Sequence, residues 1–182
     1  MRPQYHLLIS VILSSLFYLF TKSISGSILT ILIGVLIDLD HWIDYWIEKG
    51  EIKFDIKEFF SYSYECKYTK LHLILHSVEF IPLIFFITNY FWGKYFAFGI
   101  TLGFVGHLIS DYIGNAVKPL SYFLIYRIIK KFDFFNIVDE KRLMKCKKIS
   151  ELYAKNKITG SWKNKGRLRK TRNKRILKEN EK

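Results

Sequence analysis

Imidazole and carboxylate side chains recur together along this 182-residue chain. His6 stands near the start. Asp38, Asp40, His41 and Asp44 follow as one cluster, His72, His76 and Glu79 as a second, and His107 with Asp111 as a third. Nitrogen and oxygen ligands of this kind suit zinc, manganese or iron, and they outnumber the three or four that a single zinc ion takes. The candidate metal ligands are His6, Asp38, Asp40, His41, His72, His76, His107 and Asp111. Their number admits more than one divalent ion, with zinc the first expectation. A bound ion lowers the pKa of its water toward ~7, and a second can steady the opposite oxygen of a phosphoester. Hydrolysis is therefore the favoured reaction class, with Asp40 or Glu79 as the carboxylate that takes the proton.

Spacing decides which of these side chains can act together. His72, His76 and Glu79 stand at i, i+4 and i+7, and His107 and Asp111 at i and i+4, so each set projects from one face of a helix. On a regular helix Asp38 and His41 are neighbours, but Asp40 points nearly the opposite way. Either the helix is unwound there or Asp40 stands behind the ligands. One histidine at the end of a membrane span is ordinarily an interfacial or capping group. Five histidines with four aspartates at one level demand a shared explanation, and convergence on one metal site is the simplest.

The elements that must position them are apolar. Half of the residues are hydrophobic and 18% aromatic, more than a water-soluble core of this length needs. Four apolar stretches stand out: Leu7 to Phe20, Ile28 to Ile37 running on into Trp42 to Trp46, Leu71 to Trp92, and Tyr95 to Ile113. A hydrocarbon core of ~30 Å requires about 20 helical residues, so the last two fit outright and the first two fit once their polar ends are counted. The fold class expected is all-α, a polytopic helical membrane bundle of about four transmembrane helices over residues 1–135. A basic tail, 136–182, is expected to be disordered or a peripheral helix. Leu120 to Ile129 is too short to span and suits a helix lying in the interface. Gly99, Gly103 and Gly106 mark a surface where helices can approach closely. The loop from Lys49 to Lys70, with its aromatic cluster, is placed to cap the site.

Charge orients the bundle. Residues 141–182 hold seventeen Lys and Arg against three Glu, whereas the body is close to neutral. A cytoplasmic tail follows from the positive-inside rule, and with four spans the N-terminus is cytoplasmic too. Arg2 agrees, and the first apolar run reads as a retained span rather than a cleaved signal. Every candidate ligand then lies at the cytoplasmic end of its span. The tail, with Trp162 among its basic residues, is suited to anionic lipid headgroups at about 1 kcal/mol per basic residue near the surface, with nucleic acid the less favoured partner. Cys66 and Cys146 lack CxxC partners and suggest neither a disulfide framework nor a thiolate zinc site.

The ordered set His6, Asp38-Leu39-Asp40-His41, His76-Ser77 and Gly106-His107-Leu108-Ile109-Ser110-Asp111 resembles the membrane-bound metal-dependent hydrolases of the YdjM-like family, over roughly residues 1 to 127. The HxxxD of His107 and Asp111 is more distantly similar to the metal-binding helices of bacterial zinc-dependent phospholipases C. The resemblance implies a helical bundle holding metal and a phosphoester or lipid-linked substrate. Where the family pattern has His-Arg-Gly before Thr-His-Ser, this chain has Leu71-His72-Leu73-Ile74-Leu75-His76-Ser77. A metal-binding transporter and a non-catalytic membrane scaffold use the same ligands without chemistry and stand as the alternatives.

Overall fold

The structure, a computed structural model, describes residues 3–64 and 66–146; most of the expected basic tail lies outside the described residues. The described chain is helical: α1 (Pro3–Thr21), α2 (Ile24–Leu36), α3 (Asp40–Lys49), α4 (Ile56–Tyr64), α5 (Phe80–Trp92), α6 (Lys94–Gly114), α7 (Leu124–Ile129) and α8 (Phe134–Ile137). A 3-10 turn over Ile37–Leu39 joins α2 to α3, making one rod over Ile24–Lys49. Ser23 opens that rod by accepting the Gly26 N–H on its side chain. Gly50, at φ +77°, closes it in the left-handed conformation that glycine adopts without strain.

Three helices are long and apolar enough to cross a membrane: Pro3–Thr21, Ile24–Lys49 and Lys94–Gly114. The third expected span differs. Its helix begins at Phe80 rather than Leu71, and the thirteen residues of α5 cover only ~20 Å of a ~30 Å core. Pro82 explains the late start. Within the first turn its missing N–H is harmless, but a helix running through from Leu71 would bury it mid-helix, at a cost of ~3 kcal/mol. His72, His76 and Glu79 therefore do not share a helical face as their spacing suggested. They sit on a non-helical segment whose backbone is held by side chains from elsewhere.

Small residues bring the spans together. A Cβ on Gly103 would lie 2.5 Å from the Thr30 carbonyl oxygen, and one on Gly99 would run into the backbone of Gly26. Thr30 Oγ1 lies 3.0 Å from the carbonyl oxygens of both Gly26 and Gly99, locking the two helices where they touch. Gly26 faces Gly99 and Gly34 faces His107, so α2 and α6 run parallel. The first helix runs antiparallel to both, with Ser14 Oγ donating to the Ser27 carbonyl at 2.7 Å. As a result the start of α1, the α2–α3 joint and the end of α6 share one level. His6, Asp38, His107 and Asp111 lie thirteen to seventeen residues from the far ends of their helices, or ~20–26 Å, close to one face of the hydrocarbon layer.

Above that level sits a cap with its own core of Tyr45, Tyr68, Leu71, Phe134, Ile137 and Val138. Trp42 stacks on Phe59 at 4.3 Å, which fixes the 49–70 segment to α3. Isolated bridges pair Lys70 with Asp133 and Val117 with Val138. The cysteines correct the sequence expectation: Cys66 and Cys146 are joined in a disulfide across 80 residues. Nothing local announces that pairing, because the cap core alone brings the two ends together.

Candidate metal centre

Six of the expected ligands converge. His6 comes from the first turn of α1, Asp38 from the 3-10 turn, His41 from the first turn of α3, His76 from the 71–79 segment, and His107 and Asp111 from the last two turns of α6. His6, Asp38, His107 and Asp111 offer ligand atoms all within 4.8 Å of one another, as do Asp38, His41 and His76. Asp38 belongs to both groups. His6, His76, His107 and Asp111 are buried, whereas Asp38 and His41 are 25% and 28% exposed and form the open side.

Hydrogen bonds at the back of each ring set what faces the centre. His107 Nδ1 lies 2.8 Å from the Gly34 carbonyl oxygen, which can only accept, so Nδ1 carries the proton. His76 Nδ1 lies 3.0 Å from Asp40 Oδ2 and donates to it in the same way. With Nδ1 so occupied, Nε2 is the atom each imidazole turns inward, free to act as a ligand once deprotonated, and the two Nε2 atoms are 3.1 Å apart. Asp111 Oδ2 is 3.2 Å from His76 Nε2, and Asp38 Oδ1 is 3.5 Å from His107 Nε2. The His6 ring stacks on His107 at 4.1 Å, its Nε2 3.1 Å from Asp111 Oδ1, with neither ring nitrogen in an aligned hydrogen bond. Ring nitrogens and carboxylates crowded in this way call for a shared proton or a metal cation among them. This buried His/Asp group can hold a metal ion.

The remaining expected residues lie around the centre. At Asp40 the helix is tightened into a 3-10 turn rather than unwound, and Asp40 stands behind His76, also accepting the Leu75 N–H at 3.0 Å. Carboxylates so placed orient metal-bound histidines and fix their tautomer. His72 is not among the converging groups. Its Nδ1 lies 2.8 Å from Asp44 Oδ1 and its ring leans on Phe132. Glu79 accepts the Ile125 N–H at 3.2 Å, at the start of α7.

Two supports escaped the sequence analysis. Asp44 accepts the backbone N–H groups of His72 and Leu73. Arg127, only 1% exposed, donates to the carbonyls of His72, Leu73 and His76 and to Ser77 Oγ. Together they replace the helical hydrogen bonds that the 71–79 segment lacks. The signal for Arg127 was present: it is the single charge inside the apolar run Leu120 to Ile129, where an ionisable group is expensive unless it has partners.

Beside the centre is a cavity of ≈ 30 Å³ lined by His41, His76, Asp111, Ser121, Tyr122 and Arg127, among others. It has room for about two waters. No protein-family model, curated protein or solved structure matches this chain. Function is accordingly inferred from the residues and their geometry.

Proposed function

We propose that this protein is a membrane-bound metal-dependent hydrolase that cleaves a phosphoester with metal-activated water. The observation that carries it is the convergence, in a buried pocket next to a water-sized cavity, of two imidazole Nε2 atoms and two carboxylates. His6, Asp38, His107 and Asp111 would hold one ion, and Asp38, His41 and His76 would hold a second. Zinc is the first candidate, since neutral imidazole and carboxylate are its usual nitrogen and oxygen ligands, and manganese and iron follow. When bound, such an ion supplies a hydroxide nucleophile at neutral pH and neutralises charge on the phosphoryl group. Asp40 holds the His76 tautomer, and its Oδ1 has no hydrogen-bond partner. Of the two carboxylates expected to take the proton, it is the one beside the centre. Glu79 serves the start of α7 instead.

Four crossings are proposed, with α5 and the protein-covered 71–79 segment completing the passage that α5 is too short to make alone. The site face is assigned to the cytoplasm, because Lys22 and Lys94 are the only basic residues at the far end of the described bundle.

Elemental mass spectrometry on detergent-purified protein tests the premise. Wild type is expected to carry at least one equivalent of zinc, manganese or iron, and His107→Ala to lose it while eluting at the same volume. Metal-free wild type after purification in metal-replete medium, or a variant with unchanged content, overturns the hydrolase. Metal without phosphoester turnover leaves the transporter or scaffold.

A further inference from the structure

A second cavity lies on the neighbouring face of α6. It is a groove of ≈ 340 Å³ bounded by Ile81, Leu108, Ile109, Tyr112, Tyr122 and Phe123, among others, and its walls are almost wholly carbon. Leu108 and Tyr112 directly follow His107 and Asp111, so groove and centre stand at the same height, about 100° apart around one helix. Tyr122 is the wall between them, lining both the groove and the water-sized cavity that contains His76 and Asp111. Ile109, Tyr112 and Phe123 are 54%, 57% and 45% exposed. Ile109 and Tyr112 lie on a helix long enough to cross a membrane, where such exposed apolar side chains are suited to hydrocarbon rather than water.

We infer that this groove holds the apolar chain of the substrate, so that the phosphoester cleaved at the centre is a long-chain one reached from within the membrane. This rests on the hydrolase proposed above and names its substrate class. A chain lying along α6 past Tyr122 brings an attached phosphate to the open side formed by Asp38 and His41. Water then forms a new P–O bond, the ester P–O bond breaks, and the proton lost by the water ends on the leaving oxygen. The products are a long-chain alcohol that stays in the membrane and inorganic phosphate. A purely annular lipid would fill the groove as well, but it would not make turnover depend on it.

The test compares wild type with Ile109→Trp and Val105→Trp, which fill the groove from its rim without touching a proposed ligand. Purified, metal-loaded full chain is assayed on p-nitrophenyl phosphate in solution and on dodecyl and farnesyl phosphate in detergent micelles. Expected are unchanged metal content, unchanged turnover of the soluble ester, and a loss of about tenfold or more in kcat/KM on the long-chain esters, the scale of misfit in an apolar pocket. The better of the two chains distinguishes a straight acyl type from a branched isoprenoid type. Equal loss on all three substrates, or no loss on any, overturns the groove and leaves the hydrolase standing. Wild type inactive on all three overturns both. A second readout needs no turnover: a dodecyl phosphate with a terminal diazirine should label α6 or residues 119–123 in wild type, and the label should fall in Ile109→Trp. Labelling elsewhere overturns the groove even where a variant folds poorly.

Discussion

Asp40 accepts from Nδ1 of His76 and so turns the opposite nitrogen, Nε2, toward the cluster. Asp40→Asn keeps the shape and leaves an oxygen for the Leu75 N–H, but it removes the negative charge behind the ring. Removal of such a partner weakens metal affinity by about 10–100-fold. Competition between the purified variant and a zinc-chelating dye should show that loss, with elution and unfolding temperature near wild type. Unchanged affinity would mean that His76 is not a ligand. At this scale the residue types were legible in the sequence, and so was the ambiguity at Asp40. What misled was His72. Its spacing from His76 looked like a helical pair, yet its Nδ1 belongs to Asp44, 28 residues earlier in the chain.

Helix packing sets the height at which the ligands meet. The Gly99, Gly103, Gly106 pattern is common in membrane helices and carried little weight alone, but here Gly99 and Gly103 let α6 lie directly on the backbone of α2 and Gly106 makes room for Leu13 of α1. Gly103→Leu puts a side chain against the Thr30 carbonyl and the Gly34 amide, one turn from where Gly34 holds His107. Overpacking of this kind costs about 1–3 kcal/mol. Because the helices must separate, metal should be lost before the fold. Gly50→Ala is the matched control: nothing lies within 4 Å of a Cβ there, and only its φ of +77° is strained, at about 1 kcal/mol. Metal content and thermal unfolding of the two variants should therefore separate, with Gly50→Ala retaining its metal. Two variants that both keep full metal would detach the α2–α6 contact from the site.

The whole molecule poses a conflict between charge and covalent chemistry. Most basic residues of the described bundle lie at the site end, the basis of the proposed cytoplasmic orientation, whereas a disulfide is typical of oxidising compartments. Intact cells decide between them. After mild reduction, a membrane-impermeant maleimide should reach Cys66 and Cys146 only once the membrane is permeabilised, with Cys66→Ser/Cys146→Ser as the blank. Labelling in intact cells inverts the bundle. Closing an 80-residue loop is worth about 4.5 kcal/mol to the cap in the chain-entropy picture, so the stability of the cap depends on which compartment it occupies.

Membrane class, helical content and the gathering of candidate ligands at one end were readable from residue order, because hydrocarbon thickness and helical periodicity act over twenty residues or fewer. The choice of which ligands meet was not. A helix satisfies its backbone within four residues, and by that rule the 71–79 segment should have continued as one. Its N–H and C=O groups are instead taken by Asp40 and Asp44 from 28 to 35 residues before and by Arg127 from about 50 residues after. Only the folded chain brings those charges to it. The same long-range closure joins Cys66 to Cys146 and sets the apolar groove beside the buried His/Asp cluster, with Tyr122 between them.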